Sequence, residues 1–337
     1  DNCTYISWFK YEESPEIKIF DGDILFVKTG STVGKTTLVK DLPSKATINP
    51  QLIVLKKIKI DSYFLSYVLK HSIFQNQINN ILVGGAIPTL SQEQISRLKF
   101  QLPGENKERI SIGLFLSNTD ELIEKLEKLI AKKKAIKQGA MQELLTGKRR
   151  LPGFSEEWDE KKLGTMGKTY GGLSGKVKSD FGHGNALYIP FMNIMSNPVI
   201  DIQDFEKVIV ESSEQQNKAE QGDLFFNGSS ETPEEVGLCS VITTQIQNLY
   251  LNSFCFGFRF NKTEKSDGLF YSYLFRSNVG RKLMYSLAQG ATRYNLSKTK
   301  FLELGVPYPD PEEQSAIAKV LSNMDDEIDY LDKELAK

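Results

Sequence analysis

At 337 residues, with 40% hydrophobic and 25% charged, the chain is too long for one ordinary core and suits two domains of roughly 150 residues each. A formal charge of −1 at pH 7 excludes a uniformly basic nucleic-acid binder but leaves local patches open. No apolar run is long enough to span a bilayer, and the first residues carry no signal-peptide pattern.

The sequence repeats itself. Asp21-Gly22-Asp23-Ile24-Leu25-Phe26 returns about 200 residues later as Gln221-Gly222-Asp223-Leu224-Phe225-Phe226, and the copying continues in order. Tyr63 to Tyr67 matches Leu269 to Tyr273, Gly85 to Ser91 matches Gly290 to Ser297, and Leu116-Ser117-Asn118-Thr119-Asp120 matches Leu321-Ser322-Asn323-Met324-Asp325. A period this long makes each copy a domain with its own core, and two similar domains imply pseudo-twofold symmetry.

In chain order, Ile48 to Leu55 reads as a strand and Tyr63 to Ile81 as one helix lying on the sheet. A helix follows from about Lys107 to Leu145, with its seam at Leu122, Leu126, Leu129, Lys133, Ile136, Ala140 and Leu144. Thr146-Gly147 stops it, before the basic Lys148-Arg149-Arg150 and a turn at Pro152-Gly153. In the second copy, Leu187 to Ile194 and Phe254 to Phe260 read as strands and Leu269 to Leu287 as the second helix on a sheet. A last helix starts near Pro311-Glu312 and runs to Lys337. The fold class is therefore α+β: two pseudo-symmetric mixed α/β domains at 1–103 and 151–309, a helical spacer at 104–150 and a second helix at 310–337. Against the repeat, Asp1 matches about Asp201 while the second domain begins near Phe154, so roughly 45 residues of the first copy and the end of the last helix are expected to be missing.

The two long helices carry opposite charge. From Glu124 to Arg150 nine Lys or Arg face three Glu, and from Asp310 to Lys337 nine Asp or Glu face three Lys. Opposite runs flanking two apolar seams favour pairing, which predicts an antiparallel coiled coil.

Catalytic motifs are scarce. Thr29 to Thr36 resembles a phosphate-binding P-loop but has three residues between its glycines instead of four, and Thr37-Leu38-Val39-Lys40 reads as a strand where a helix should open. Cys3, Cys239 and Cys255 are odd in number and far apart, and with only His71 and His183 there is no zinc set. The expectation is a reducing cytoplasm with no structural metal. Asn49-Pro50-Gln51-Leu52 is similar to the Asn-Pro-Pro-aromatic motif of DNA amino-methyltransferases but lacks its second proline and its aromatic. A turn leading into a strand explains it better, as it does the repeat copy Asn252-Ser253-Phe254-Cys255.

Binding chemistry lies in the loops. The first copy offers Lys28, Thr29, Ser31, Thr32, Lys35 and Thr89; the second offers Ser174, Lys176, Lys178, Asn227, Ser229, Ser230, Gln289, Thr292, Arg293 and Tyr294. Short hydroxyl and amide side chains among glycines let backbone approach a phosphate, and Arg, Asn and Gln can make paired hydrogen bonds to a base. The copies keep their Gly-Asp frames and Leu-Ser endings while these loop residues diverge, as a reader of two different half-sites requires.

The stretch Asn118 to Ile130, then Lys134 to Lys148, then Leu151-Pro152-Gly153-Phe154 and Trp158 closely resembles the central region of type I restriction-modification specificity subunits. The resemblance covers nearly the whole chain. It implies two target-recognition domains separated by two helices packed antiparallel, with methyltransferase subunits docking at the helical regions. It further implies a non-catalytic subunit that binds double-stranded DNA, with a restriction and translocation subunit in the larger complex and S-adenosylmethionine held by the methyltransferase, not by this chain. A helix from Asp120 to Leu145 is roughly 40 Å long, comparable to the roughly 34 Å turn of duplex DNA, so a bipartite target with an unread spacer is expected. Two other readings stay open on the sequence: the specificity portion of a fused restriction-methyltransferase enzyme, and a coiled-coil scaffold for protein interactions.

Overall fold

The Gly-Asp frame that marks each repeat is a turn feeding a strand. Gly22 and Gly222 take φ of +92° and +88°, a region that a Cβ disfavours. The carboxylates of Asp23 and Asp223 then accept hydrogen bonds from the backbone N–H of Phe20 and of Glu220. From this turn runs Ile24–Val27 in the first copy and Leu224–Asn227 in the second. Each is the middle strand of an antiparallel trio, between Thr36–Leu38 and Leu52–Leu55 in one case and between Cys239–Val241 and Cys255–Phe260 in the other. Gly167–Gly171 adds a fourth strand to the second sheet.

The computed structural model describes residues 4–82, 88–290 and 293–337. The chain forms two compact units, Asp1–Glu127 and Lys128–Lys337. In the first, Ile24 and Phe26 meet Leu65, Leu69, Phe74, Ile78 and Leu90. In the second, Phe226, Phe256, Phe275 and Phe301 form an aromatic cluster with ring centroids 4.9–6.2 Å apart, mostly edge to face.

Three expectations from the sequence need correction. The helices on the sheets are each broken in two, Ser62–Lys70 with Ser72–Ile81, and Gly268–Arg276 with Asn278–Leu287. At the breaks, His71 and Ser277 are extended (ψ 145° and 166°), and their side chains accept the N–H of Ile73 and of Gly280, capping the next helix. Leu187 to Ile194 is not one strand: Phe181–Ile189 ends at Pro190, which opens the helix Phe191–Ser196. Ile48 to Leu55 is strand only over Leu52–Leu55, because Asn49 turns the chain first.

The long helix spans Asn106–Leu144, and the last one Pro311–Leu335, closed by Ala336. Within the second unit they pair antiparallel: Lys137 meets Asp325 and Arg150 meets Glu313, so numbers rise along one partner as they fall along the other. Lys133 and Lys134 reach Glu327 and Asp332 at 2.6 and 3.0 Å. Leu144 and Leu145 pack with Ile317, Ala318 and Leu321 in the core. The expected seam was partly out of phase. Leu144 is buried and Leu126 and Ala140 half-buried, but Leu122, Leu129 and Ile136 are 66%, 39% and 48% exposed. The covered face runs through Leu126, Ile130, Lys133, Lys137, Ala140, Met141 and Leu144. Lysines can occupy it because their aliphatic stems cover apolar surface while their ammonium groups reach acidic partners.

A knot of polar bonds locks the end of that helix. The fully buried Glu313 carboxylate takes two hydrogen bonds from Arg150, both 2.7 Å, and one from the Trp158 indole at 2.8 Å. Gly147, at φ +67°, lies where a Cβ would stand 3.4 Å from the Trp158 ring. The helix stop, the basic run and the tryptophan are thus one structural device.

Candidate nucleic-acid interface

In the first unit the Gly-rich loop is a tight hairpin. Val27 and Lys35 are tied by Val27 N–H to Lys35 O, Gly34 N–H returns to Val27 O, and Gly30 and Gly34 take positive φ. Its outer side joins the Thr89 segment: Gly30 N–H donates to Pro88 O, Leu90 N–H to Lys28 O, and Thr29 bridges Thr89. Lys28, Thr29, Ser31, Thr32, Lys35 and Thr89 therefore share one loop cluster, with Ser31, Thr32, Lys35 and Thr89 exposed and Lys28 and Thr29 half-buried. Among the described residues no carboxylate pairs with Lys28 or Lys35. Both cations are available to a phosphate.

The second unit builds the same cluster. Ser229–Ser230 pairs with Tyr294–Leu296, which pairs in turn with Ala288–Gln289, and Leu296 N–H donates to Gly228 O as Leu90 does to Lys28 O. Ser229, Gln289, Arg293 and Tyr294 come together here, with Gln289 and Arg293 exposed; Thr292 lies outside the described residues. The Arg293 guanidinium stands 5.9 Å from the centre of the Phe254 ring.

Three of the expected contact residues have structural work instead. Asn227 is fully buried, its amide donating to Ser229 O and Glu235 O and accepting from Leu238 N–H, so it shapes the loop from within. Ser230 is buried and its hydroxyl donates to Glu235. Lys176 has a side chain only 6% exposed and pairs with Glu214. That hydrogen bond, helped by one from Gln216, holds the Glu214 carboxyl down to about 2. Ser174 is exposed, its backbone latched to Gln216, and Lys178 is exposed.

The turn at Asn252-Ser253-Phe254 was read from sequence only as a turn. It sits against both loops, since Gly228 N–H donates to Phe254 O and Gly172 N–H to Cys255 O. No thiol chemistry is on offer beside it, because burial pushes Cys255 up to about 12 and raises Cys239 as well. Among the described residues no group of His, Cys, Asp and Glu could hold a metal, and no helix is long and apolar enough to cross a membrane.

Doubled sheets, doubled loop clusters and an antiparallel helix pair define a two-domain recognition architecture, and comparison with known proteins agrees. The model of the type I restriction modification DNA specificity domain matches residues 9–138 and 155–337, and the chain belongs to that family. A putative type I restriction enzyme MjaX specificity subunit of Methanocaldococcus jannaschii is 28% identical, over 98% of this chain and 78% of the relative. The MjaVIII specificity subunit of the same organism is 26% identical over 95% and 76%. In fold, the chain resembles the type I restriction-modification S subunit from M. genitalium, with a TM-score of 0.60 at 18% identity, covering 96% of this chain and 81% of that one.

Proposed function

We propose that this chain supplies sequence recognition to a type I restriction-modification complex, each unit reading one half of a bipartite double-stranded DNA target. The chain is a specificity subunit and not itself a catalyst. The observation that carries the bipartite reading is the duplicated loop cluster: one backbone frame, tied by the same main-chain bonds, presents Lys28, Thr29, Ser31, Thr32, Lys35 and Thr89 in one unit and Ser229, Gln289, Arg293 and Tyr294 in the other. A shared scaffold with different exposed side chains suits two different half-sites. Lysines and hydroxyls would fix the phosphates, while Arg293 and Gln289 would meet base edges.

Separate methyltransferase subunits, which would hold the S-adenosylmethionine, are directed to the target by docking on the helical regions, and a restriction and translocation subunit joins the larger complex. The test is to purify the chain with and without a methyltransferase partner and sequence the methylated DNA. Methylation confined to one two-part motif, and only when both proteins are present, is the expected result. Methylation by the chain alone, or a motif unchanged when the chain is replaced by another specificity subunit, would overturn the assignment.

A further inference from the structure

The turn before the third strand of each sheet is the same object in both units. In the first, the Asn49 side chain accepts the N–H of Gln51 at 2.9 Å, Leu52 N–H donates to Asn49 O, and Lys28 N–H donates to Gln51 O. In the second, the Asn252 side chain accepts the N–H of Phe254 at 2.9 Å, Cys255 N–H donates to Asn252 O, and Gly228 N–H donates to Phe254 O. Strand register confirms the equivalence, since Val27 pairs with Leu52 where Asn227 pairs with Cys255. Gln51 and Phe254 therefore occupy one structural position.

That position is built rigidly and faces outward. Its main chain is held on both sides, its N–H by the asparagine side chain and its carbonyl by the strand end that carries the loop cluster. Both side chains are exposed, Phe254 by 59%. The ring is not there for the turn, because glutamine completes an identical turn in the other unit. The exposed ring, on a backbone hydrogen-bonded to the strand end that carries the loop cluster and 5.9 Å from the Arg293 guanidinium, stands where a base approaching that cluster would meet it.

We infer that this apical residue is a specificity determinant of each half-site, Gln51 through its amide and Phe254 through its ring. Glutamine can hold the N6 and N7 edge of adenine with two hydrogen bonds, and phenylalanine makes apolar contact with the thymine methyl. The pair gives the two units different base preferences from one backbone position. The inference rests on the DNA-reading function proposed above.

Selection from a randomised duplex library at fixed salt separates the two. The wild-type chain enriches a two-part sequence. Gln51→Ala loses roughly tenfold to hundredfold discrimination at one base of one part, and Phe254→Ala does so at one base of the other part. Affinity for unselected DNA stays within about twofold in both variants, because phosphate contacts carry it. Gln51→Glu keeps the shape of the side chain but only accepts hydrogen bonds, so the preferred base moves from adenine to cytosine. Variants that enrich the full wild-type sequence, with every position intact, overturn this inference and leave the function standing. A wild-type chain that enriches no sequence overturns the function itself, and the inference with it.

Discussion

Two equivalent tyrosines show what the repeat keeps and what it changes. Tyr67 in the first unit donates its hydroxyl to Asp120 at 2.7 Å, and Tyr273 in the second donates to Asp325 at 2.7 Å, so each recognition domain is pinned to its following helix by the same bond. Around Tyr273 the bond is part of a larger assembly: Lys137 from the long helix pairs with Asp325 and lies 5.4 Å from the centre of the tyrosine ring. Among the described residues of the first unit no lysine pairs with Asp120. Lys70 lies 5.4 Å from the centre of the Tyr67 ring as well, so a cation beside the ring is common to both units; the tyrosine bond holds the domain to its own helix, and the ion pair to the aspartate is what a second, basic helix adds.

The largest test of that contrast is the buried carboxylate. Glu313→Ala removes the partner of Arg150 and Trp158 and should cost about 3–5 kcal/mol. Glu108→Ala, at the matching but exposed place in the first unit, should stay within about 0.5 kcal/mol, both read by urea unfolding. Equal effects would break the comparison. Next comes the seam, where Leu144→Ala should cost about 2–5 kcal/mol and the exposed Leu129→Ala within about 0.5. Comparable costs at the two positions would restore the phase first expected from the sequence, which buries both.

Smaller again is the tyrosine bond. Tyr273→Phe leaves Asp325 short of a donor and should cost about 1.5–3 kcal/mol, with Tyr67→Phe toward the lower end because its surroundings are more open to water. Its pH dependence has a definite sign. Burial, then the hydrogen bond to Asp120, pushes Tyr67 up to about 12 from 10.0. The folded state favours the protonated phenol, so this contribution is complete below pH 10 and is lost as pH rises through about 12. Phenolate absorbance of the wild type minus that of Tyr67→Phe should show that late titration.

Much of the scaffold was legible because it depends on periodicity and on the few residues that interrupt it. Asn106–Leu144 and Pro311–Leu335 fall within two residues of the expected limits, since a proline-free periodic run and an Asp-Pro start leave little choice. The helix breaks at His71 and Ser277 were hidden inside apolar runs whose spacing continues across them. The seam slipped because Lys137 looks like surface until Asp325 is known to face it. For the loops, sequence gave candidates without directions: Asn227 beside a glycine looks like a contact residue, but a buried amide and an exposed one have the same letter. Phe254 is easily overlooked for the opposite reason, since it heads the alternating run Phe254, Phe256, Phe258 and Phe260, which reads as one core face of a strand.

The most direct measurement is sequence selection by wild-type chain and Arg293→Ala side by side, with Lys35→Ala as the control. The wild type should enrich two short base blocks separated by an unread spacer of fixed length. Arg293→Ala should relax one position of one block by about 1–3 kcal/mol, whereas Lys35→Ala should leave that block's preference unaffected. A wild-type chain that enriches no sequence, or a single uninterrupted block indifferent to Arg293, would contradict the account.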